Sequence, residues 1–536
     1  VPPASLPRAE AVRATAPPVL DGVLDDDVWA AAPVLDGLTG WPPIEGAAPL
    51  ERTEVRVACD DAAVYFAVRA YESDPARIRA RIAARDRADD DDYVAIFLDT
   101  FGRAQSAYVF MVNPLGVQTD GVATQGCSNP DRTWDGVWRS AGRVDERGYA
   151  VEIAVPLASI RYPRGSAEPW RLQVLRRYAS RGTVESWAPV TGGSSAQLTL
   201  AGHLTGLDGL GGRRVVEVQP VVVGSRLQPG GPGGQDRAES LDLGLNVKLG
   251  LTPGLVLDVT ANPDFSQIEA DPSQVTVNER FAVTLAEKRP FFLEGAELLA
   301  TPIPVVYTRR IVSPVAGARL TGRLGATGVA LIAARDRTGA ESDSPVEDTD
   351  YGVLRVRREW AGGQALGAVG TVRDGPAGRN IVAGIDGRYP FAGQYRVSGQ
   401  VLVSDTDAGE LDAAALAYRL SANRSGRRFG LSLEYTDIPP SFRAESGLVN
   451  DELRQRRNRP DLRLVSGSAR YRLERADGPL RSLTVNVIGD QYFDHGGTRT
   501  EGILNPGVFL NFHGHTTIGL WSELGRERVG GREFTT

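Results

Sequence analysis

Cysteine, methionine, histidine and lysine are nearly absent from this chain. Its 536 residues hold two Cys, one Met and four His, and Lys248 and Lys288 are the only lysines. Two cysteines exclude a disulfide-stapled miniprotein and a zinc ribbon. Cys59 and Cys127 are left either as one pair formed in an oxidising compartment or as two free thiols. No two histidines make an HExxH pair, and neither a GxSxG elbow nor a P-loop occurs, so no catalytic signature is visible. The net charge of -7 comes without a basic stripe, which argues against a nucleic-acid binder. No run of about 18 apolar residues occurs, which excludes a helical membrane span. A β-barrel is not excluded, because its strands need only about 10 residues with one apolar face. The chain opens at VPPASLPRAE, with neither a basic nor an apolar leader region, and so reads as an exported protein whose signal peptide has been removed.

What the chain does have is glycine (61), proline (34) and a 42% hydrophobic fraction, spread over a length that calls for at least two folding units. In the first two hundred residues, EVRVACD (Glu54–Asp60) and AVYFAVRA (Ala63–Ala70) alternate apolar and polar side chains, as two half-buried strands do. Asp60 and Asp61 supply a hairpin turn between them. Further strands are expected at YVAIFLDT, AYVFMVN, YAVEIAVP and WRLQVLRRY. Short strands separated by Gly, Asp and Pro turns indicate a β-sandwich.

After GHLTGLDGLGGRR the pattern changes to long alternating segments, placing a boundary near residue 212. RFGLSLEYTD sets Phe429, Leu431, Leu433 and Tyr435 against Arg428, Gly430, Ser432, Glu434 and Thr436, one face for lipid and one for water. YGVLRVRREW opposes Leu354 and Val356 to Arg355 and Arg357, and two inward arginines suit a polar lumen. A dozen more such strands follow with no helix between them, and no blade-length repeat supports a propeller. The fold class is all-β. Residues 1–212 form a sandwich, and 213–536 an antiparallel transmembrane barrel interrupted by a charged insert at about 261–299. Its end at Thr536, without a terminal aromatic, suggests missing closing strands.

VLDGVLDDDVW (Val19–Trp29), DDYVAIFLDT (Asp91–Thr100), YVFMVNPLGVQTDG (Tyr108–Gly121), TWDGVW (Thr133–Trp138) and GYAVEIAVPLASIRYP (Gly148–Pro163) resemble, in this order, the family 9 carbohydrate-binding module. ANPDFSQIEADPSQV (Ala261–Val275) and EKRPFFLEGAELL (Glu287–Leu299) resemble the signature of an uncharacterised family of outer-membrane barrel proteins that carry this sandwich. The resemblance implies architecture and a place in the bacterial outer membrane, with lipid as one partner; an N-terminal domain that precedes a barrel is expected on the periplasmic side, with the lumen as the alternative. It also implies a glycan or other extracellular ligand. The tryptophan pair that clamps sugar chain ends in the module aligns here with Asp89 and Ser195, so that clamp is not carried over.

Sugar recognition needs aromatic faces together with fixed polar groups. Trp134 and Trp138, with Asp135 and Gly136 between them, are candidates for a stacking platform or, alternatively, core anchors. Asp25, Asp26, Asp91 and Asp92 offer oxygen ligands for calcium or, alternatively, make solvated acidic turns, and no EF-hand spacing supports the metal. In the insert, Glu269, Glu287 and Glu294 are the candidates for an acid–base pair on a glycosidic bond. The other reading of these charges is a constriction, a lumen plug or a salt-bridged turn. Three functions follow: glycan or ligand capture with uptake or display, a membrane-associated glycoside hydrolase acting on plant-type polysaccharide, and an assembly protein whose sandwich docks another polypeptide.

Overall fold

The computed structural model describes residues 6–41, 46–124, 130–132, 134–163, 168–189, 197–210, 216–227, 238–263, 285, 287–338, 347–360, 362–407, 413–448, 461–475, 478–512, 516–529 and 532–535. Two sheets pack face to face in the first part of the chain. One has Trp170–Tyr178, Tyr93–Asp99 and Ser106–Val112 at its centre, and the other has Thr53–Cys59, Ala63–Tyr71 and Gly148–Pro156. Val55, Phe66, Ile96, Phe110, Ile153 and Val174 fill the space between them and are fully buried. The hairpin at Asp60 forms as expected, with its carboxylate accepting bonds from the Ala62 and Ala63 amides at 2.7 and 2.8 Å.

The strands Thr53–Cys59 and Ala63–Tyr71 are not half-buried, because almost every side chain in both is covered. The short helix Asp27–Ala31 lies over their outer face and inserts Trp29 among Ala58, Tyr65, Ala67 and Ala154. The Trp29 indole donates to the buried Glu152 carboxylate at 2.9 Å. A covering element from elsewhere in the chain has turned a one-sided strand into a two-sided one, which alternation within the strand does not reveal. Cys59 is buried and donates to the Gly206 carbonyl at 3.6 Å; Cys127 lies outside the described residues.

Among the described residues a single antiparallel sheet of 17 strands follows, ordered in space as in sequence, from Val216–Leu227 to Arg532–Thr535. Its first and last strands do not pair with each other among the described residues, so the sheet is open. Its two faces differ sharply. Along Tyr395–Asp407, Val401 and Val403 are 42% and 49% exposed, while Leu402 and Ser404 between them are at 0%. Leu354 is exposed and Arg355 buried, as their opposition in the sequence requires.

The inward face closes on the insert. Phe292, Leu298, Leu299 and Ile311 pack against Ala330, Ile332 and Val353. Ile303 and Val305 pack against Val369, Val382, Leu402, Ala417 and Ile438. One short segment touches so many successive strands only because the sheet curls around it as a barrel wall does. Strands are joined by two to five residues at one end, as at 253–254, 325–326 and 392–394. The connections at the other end include 262–313 and 439–461.

Candidate functional site

The sandwich meets the sheet at the end with short turns, and the meeting point is built around Glu294. This residue follows the helical turn Pro290–Leu293 and precedes Gly295, whose φ of +74° and close approach to the Thr321 side chain admit no larger residue without strain. The Glu294 carboxylate accepts a bond from Arg161 of the sandwich and pairs with Lys248 of the sheet at 2.9 Å. Burial alone would raise the Glu294 carboxyl, but Arg161, Lys248 and Arg319 hold it down at about 2. Burial pushes the neighbouring Glu297 the other way.

Beside this ion pair lies a cavity of about 60 Å³, lined by Phe101, Tyr108, Trp134, Arg161, Glu294, Glu297 and Arg323. Trp134 packs on Tyr108 with ring centroids 4.9 Å apart. The Tyr108 hydroxyl accepts from the Arg161 amide at 3.1 Å, and burial pushes its pKa up to about 12. Arg323 lies over Phe101 at 5.5 Å and donates to Glu359 at 2.6 Å. Two carboxyls with opposed pKa shifts are the usual acid–base arrangement. The cavity, however, has room for ordered water rather than for a sugar, and Glu294 already answers two cations. The arrangement serves docking.

The structure thus brings Trp134 and Glu294 together, although they were candidates for different chemistries. It places Trp138 among the core anchors, the second of the two readings, and not in a stacking platform. Trp138 is 4% exposed, packs edge-on against Phe110 and donates to Asp120 at 3.2 Å, so no face of it is open to a sugar. Trp134 is half-buried, and Gly136 lies so close beneath its ring that a Cβ there would sit 2.3 Å from it. The two rings form no exposed platform.

Glu287 accepts from Thr308 at 2.6 Å and from the Arg289 guanidinium at 2.7 Å, and so fixes one turn of the insert. Glu269 lies outside the described residues. Among the proposed calcium ligands, Asp91 accepts from Arg81 and Asn113, and Asp92 from the Arg79 and Ala179 amides. Asp25 is exposed, and Asp26 begins the helix Asp27–Ala31. Among the described residues no three His, Cys, Asp or Glu side chains converge to hold a metal ion. Asp89 is held in an ion pair with Arg132, and Ser195 lies outside the described residues.

Two grooves large enough for a sugar escaped sequence reasoning. One, of about 590 Å³, runs between Leu157–Pro163 of the sandwich and the turns at 250–254 and 323–325. The other, of about 570 Å³, has Arg8, Glu168 and His203 as its polar groups, with Tyr162 and Trp170 buried behind its floor. WRLQVLRRY had marked Trp170 only as the start of a strand.

Residues 20–179, which span most of the sandwich, match the family described as carbohydrate family 9 binding domain-like. The N-terminal unit is a family 9 carbohydrate-binding-like domain. Residues 230–321, which run from the second strand of the sheet through the whole insert and into the strand Pro314–Leu324, match a domain of unknown function, DUF5916. Among solved structures, the family 9 domain is similar to the family 9 carbohydrate-binding module of Caldicellulosiruptor kristjanssonii in complex with glucose. That likeness is at 23% identity over 37% of this chain and 96% of that one, with a TM-score of 0.27. OccK11 (OpdR) of Pseudomonas aeruginosa is similar at 13% identity over 69% and 87%, with a TM-score of 0.27. OccK7 (OpdD) of the same organism is similar at 10% identity over 82% and 93%, with a TM-score of 0.26. A search of curated proteins gave no match.

Proposed function

We propose that this chain is an outer-membrane protein whose family 9 domain lies on the periplasmic side, docked to a plugged barrel, and captures a glycan-type ligand for passage. The observation that carries this reading is the outward face of the sheet. Leu331, Leu354, Ile385, Val401, Leu416 and Leu433 form an exposed apolar band. At the short-turn end it is bordered by Trp360, Tyr389, Phe391, Tyr395, Phe429 and Tyr471, all exposed. A wide apolar band edged by aromatics is what a barrel presents to acyl chains and headgroups. At the other end the outward positions become charged, as in the exposed pairs Arg335–Asp350 and Arg337–Asp348.

Short turns mark the periplasmic end of such barrels and long loops the outer end. The family 9 domain lies against the short turns through Arg161–Glu294, Arg323–Phe101 and Arg388–Gln105, which supports the periplasmic placement. The groove beside Arg8, Glu168 and His203 is the place proposed for the glycan, held there by these polar groups rather than by a stacked ring. The test is binding of neutral oligosaccharides by the full chain in detergent, compared with Arg8→Ala and His203→Ala. Capture predicts binding weakened by His203→Ala in a chain that still folds. Binding by both variants equal to that of the parent, or none by the parent, overturns it.

A further inference from the structure

The outward face of the sheet carries charge at both ends, and the two ends treat it differently. At the long-loop end the outward arginines are matched: Arg335 pairs with Asp350 at 2.7 Å, Arg337 with Asp348 at 2.9 Å and Arg463 with Asp437 at 3.0 Å. Arg379 stands there in register with both Asp374 and Asp407, and Asp405 adds a further exposed carboxylate. At the short-turn end Arg358 and Arg424 face outward too. Arg358 shares a face with the exposed Leu354, and Arg424 lies in register with the exposed Tyr395. Among the described residues neither of them meets a carboxylate. Glu359, next to Arg358 in the chain, is buried on the inward side and pairs with Arg323 and Arg357, and Glu474 pairs with Arg427 and Arg472.

What these two cations meet is aromatic. Arg358 lies over the Trp360 ring at 5.9 Å, and Arg424 lies between Tyr395 and Phe429, 5.7 and 5.4 Å from their centroids. Arg424 Nε donates to the Tyr395 hydroxyl at 3.3 Å and Nη1 to the Phe429 carbonyl, which leaves Nη2 without a protein acceptor among the described residues. Tyr395 ends a stack of outward rings, with Phe391 at 5.3 Å from it and Tyr389 at 6.3 Å from Phe391. Aromatic belts settle at the depth of the headgroups, so the stack sets the depth of Arg424. A guanidinium lying against a ring has already given up much of its rotamer freedom. At headgroup depth, with no carboxylate to answer it, such a fork is complementary to a phosphodiester.

We propose that Arg424, with Arg358 as a second and separate position, binds the phosphate of an anionic phospholipid in the leaflet beside the short turns. Four strand spacings separate the two arginines, roughly 19 Å, so each takes its own lipid. This assignment rests on the membrane-spanning reading above and adds which lipid and on which side. Charge decides between headgroups: a zwitterionic one brings an ammonium group, and neither arginine has a carboxylate beside it to receive that group. An anionic headgroup leaves nothing unmatched, and an interfacial arginine attracts it further through the surface potential of the leaflet.

The experiment titrates the full chain in detergent with phosphatidylglycerol, with phosphatidylethanolamine of the same acyl chains, and with inorganic phosphate, and counts bound molecules by native mass spectrometry. Arg358→Gln/Arg424→Gln is compared with Arg358→Lys/Arg424→Lys and with Arg335→Gln, whose arginine already has Asp350. Heat-modifiable migration on gels checks that each variant folds. In the parent, two phosphatidylglycerol molecules should bind about fivefold more tightly than phosphatidylethanolamine, the ratio one interfacial arginine supplies. The Gln pair should lose this preference, the Lys pair should keep part of it, and Arg335→Gln should keep all of it. Equal binding of the two lipids by the parent, or a preference that survives in the Gln pair, overturns the headgroup site and leaves the membrane reading standing. Inorganic phosphate bound as tightly as phosphatidylglycerol, and lost in the Gln pair, assigns the arginines to free phosphate and overturns the lipid assignment. A chain that binds neither lipid overturns the membrane reading and this site with it.

Discussion

Replacing Glu294 by Gln removes one charge from the contact that joins the family 9 domain to the insert, with almost no change in shape. The carboxyl lies near 2 instead of 4.5, a displacement that corresponds to about 3 kcal/mol in favour of its charged form. Arg161 and Lys248 remain 19% and 34% exposed, so water screens part of this, and only Arg161 belongs to the family 9 domain, so the expected loss is about 1 kcal/mol, about fivefold in a docking equilibrium. Because the folded value is depressed, the stabilisation is complete above about pH 4.5 and is lost as the pH falls toward 2. Pepsin cleavage of the connection between the two domains reads the undocked fraction when opening is fast relative to cleavage. Parent protein should be cut progressively faster from pH 4.5 down to 2 once the intrinsic activity of the protease is divided out. Glu294→Gln should be cut fast across the whole range. Identical rates and identical pH profiles for the two proteins refute the docking role.

Trp138→Ala should destabilise the family 9 domain by about 3–5 kcal/mol, as emptying a large core site does, measured by denaturant unfolding; a change under 1 kcal/mol would return Trp138 to the surface. Leu354→Arg should cost about 2–4 kcal/mol of insertion stability in vesicles, whereas Arg337→Leu beyond the band should cost little. Glu287→Gln should leave release of sugar from xylan oligosaccharides at the buffer level seen with the parent, while loosening the insert in hydrogen exchange. Measurable hydrolysis that disappears in this variant contradicts the non-catalytic reading of Glu287.

The sheet was legible because each of its strands carries its own evidence. Leu354 and Arg355 are neighbours in sequence, and a period of two sends them to opposite faces whatever the rest of the chain does. The burial of Thr53–Cys59 on both faces was not legible, since the cover comes from Trp29. The site was harder still. Charge density marked the insert, but what Glu294 meets is Arg161, 133 positions away, and no local pattern encodes that pairing. TWDGVW showed two tryptophans and a turn; which ring faces inward was decided by Asp120 and Phe110, on other strands. The groove beside Arg8, Glu168 and His203 likewise joins residues from four separate stretches of chain.

The measurement closest to the central claim places spin labels one at a time at Val401→Cys, Leu402→Cys, Val403→Cys and Ser404→Cys in the reconstituted chain, with Cys59 and Cys127 replaced by serine. Collision with oxygen, which concentrates in acyl chains, should be high at 401 and 403 and low at 402 and 404. Labels at all four positions that are sealed from oxygen, in a protein that stays monodisperse without detergent, would contradict a membrane-facing surface.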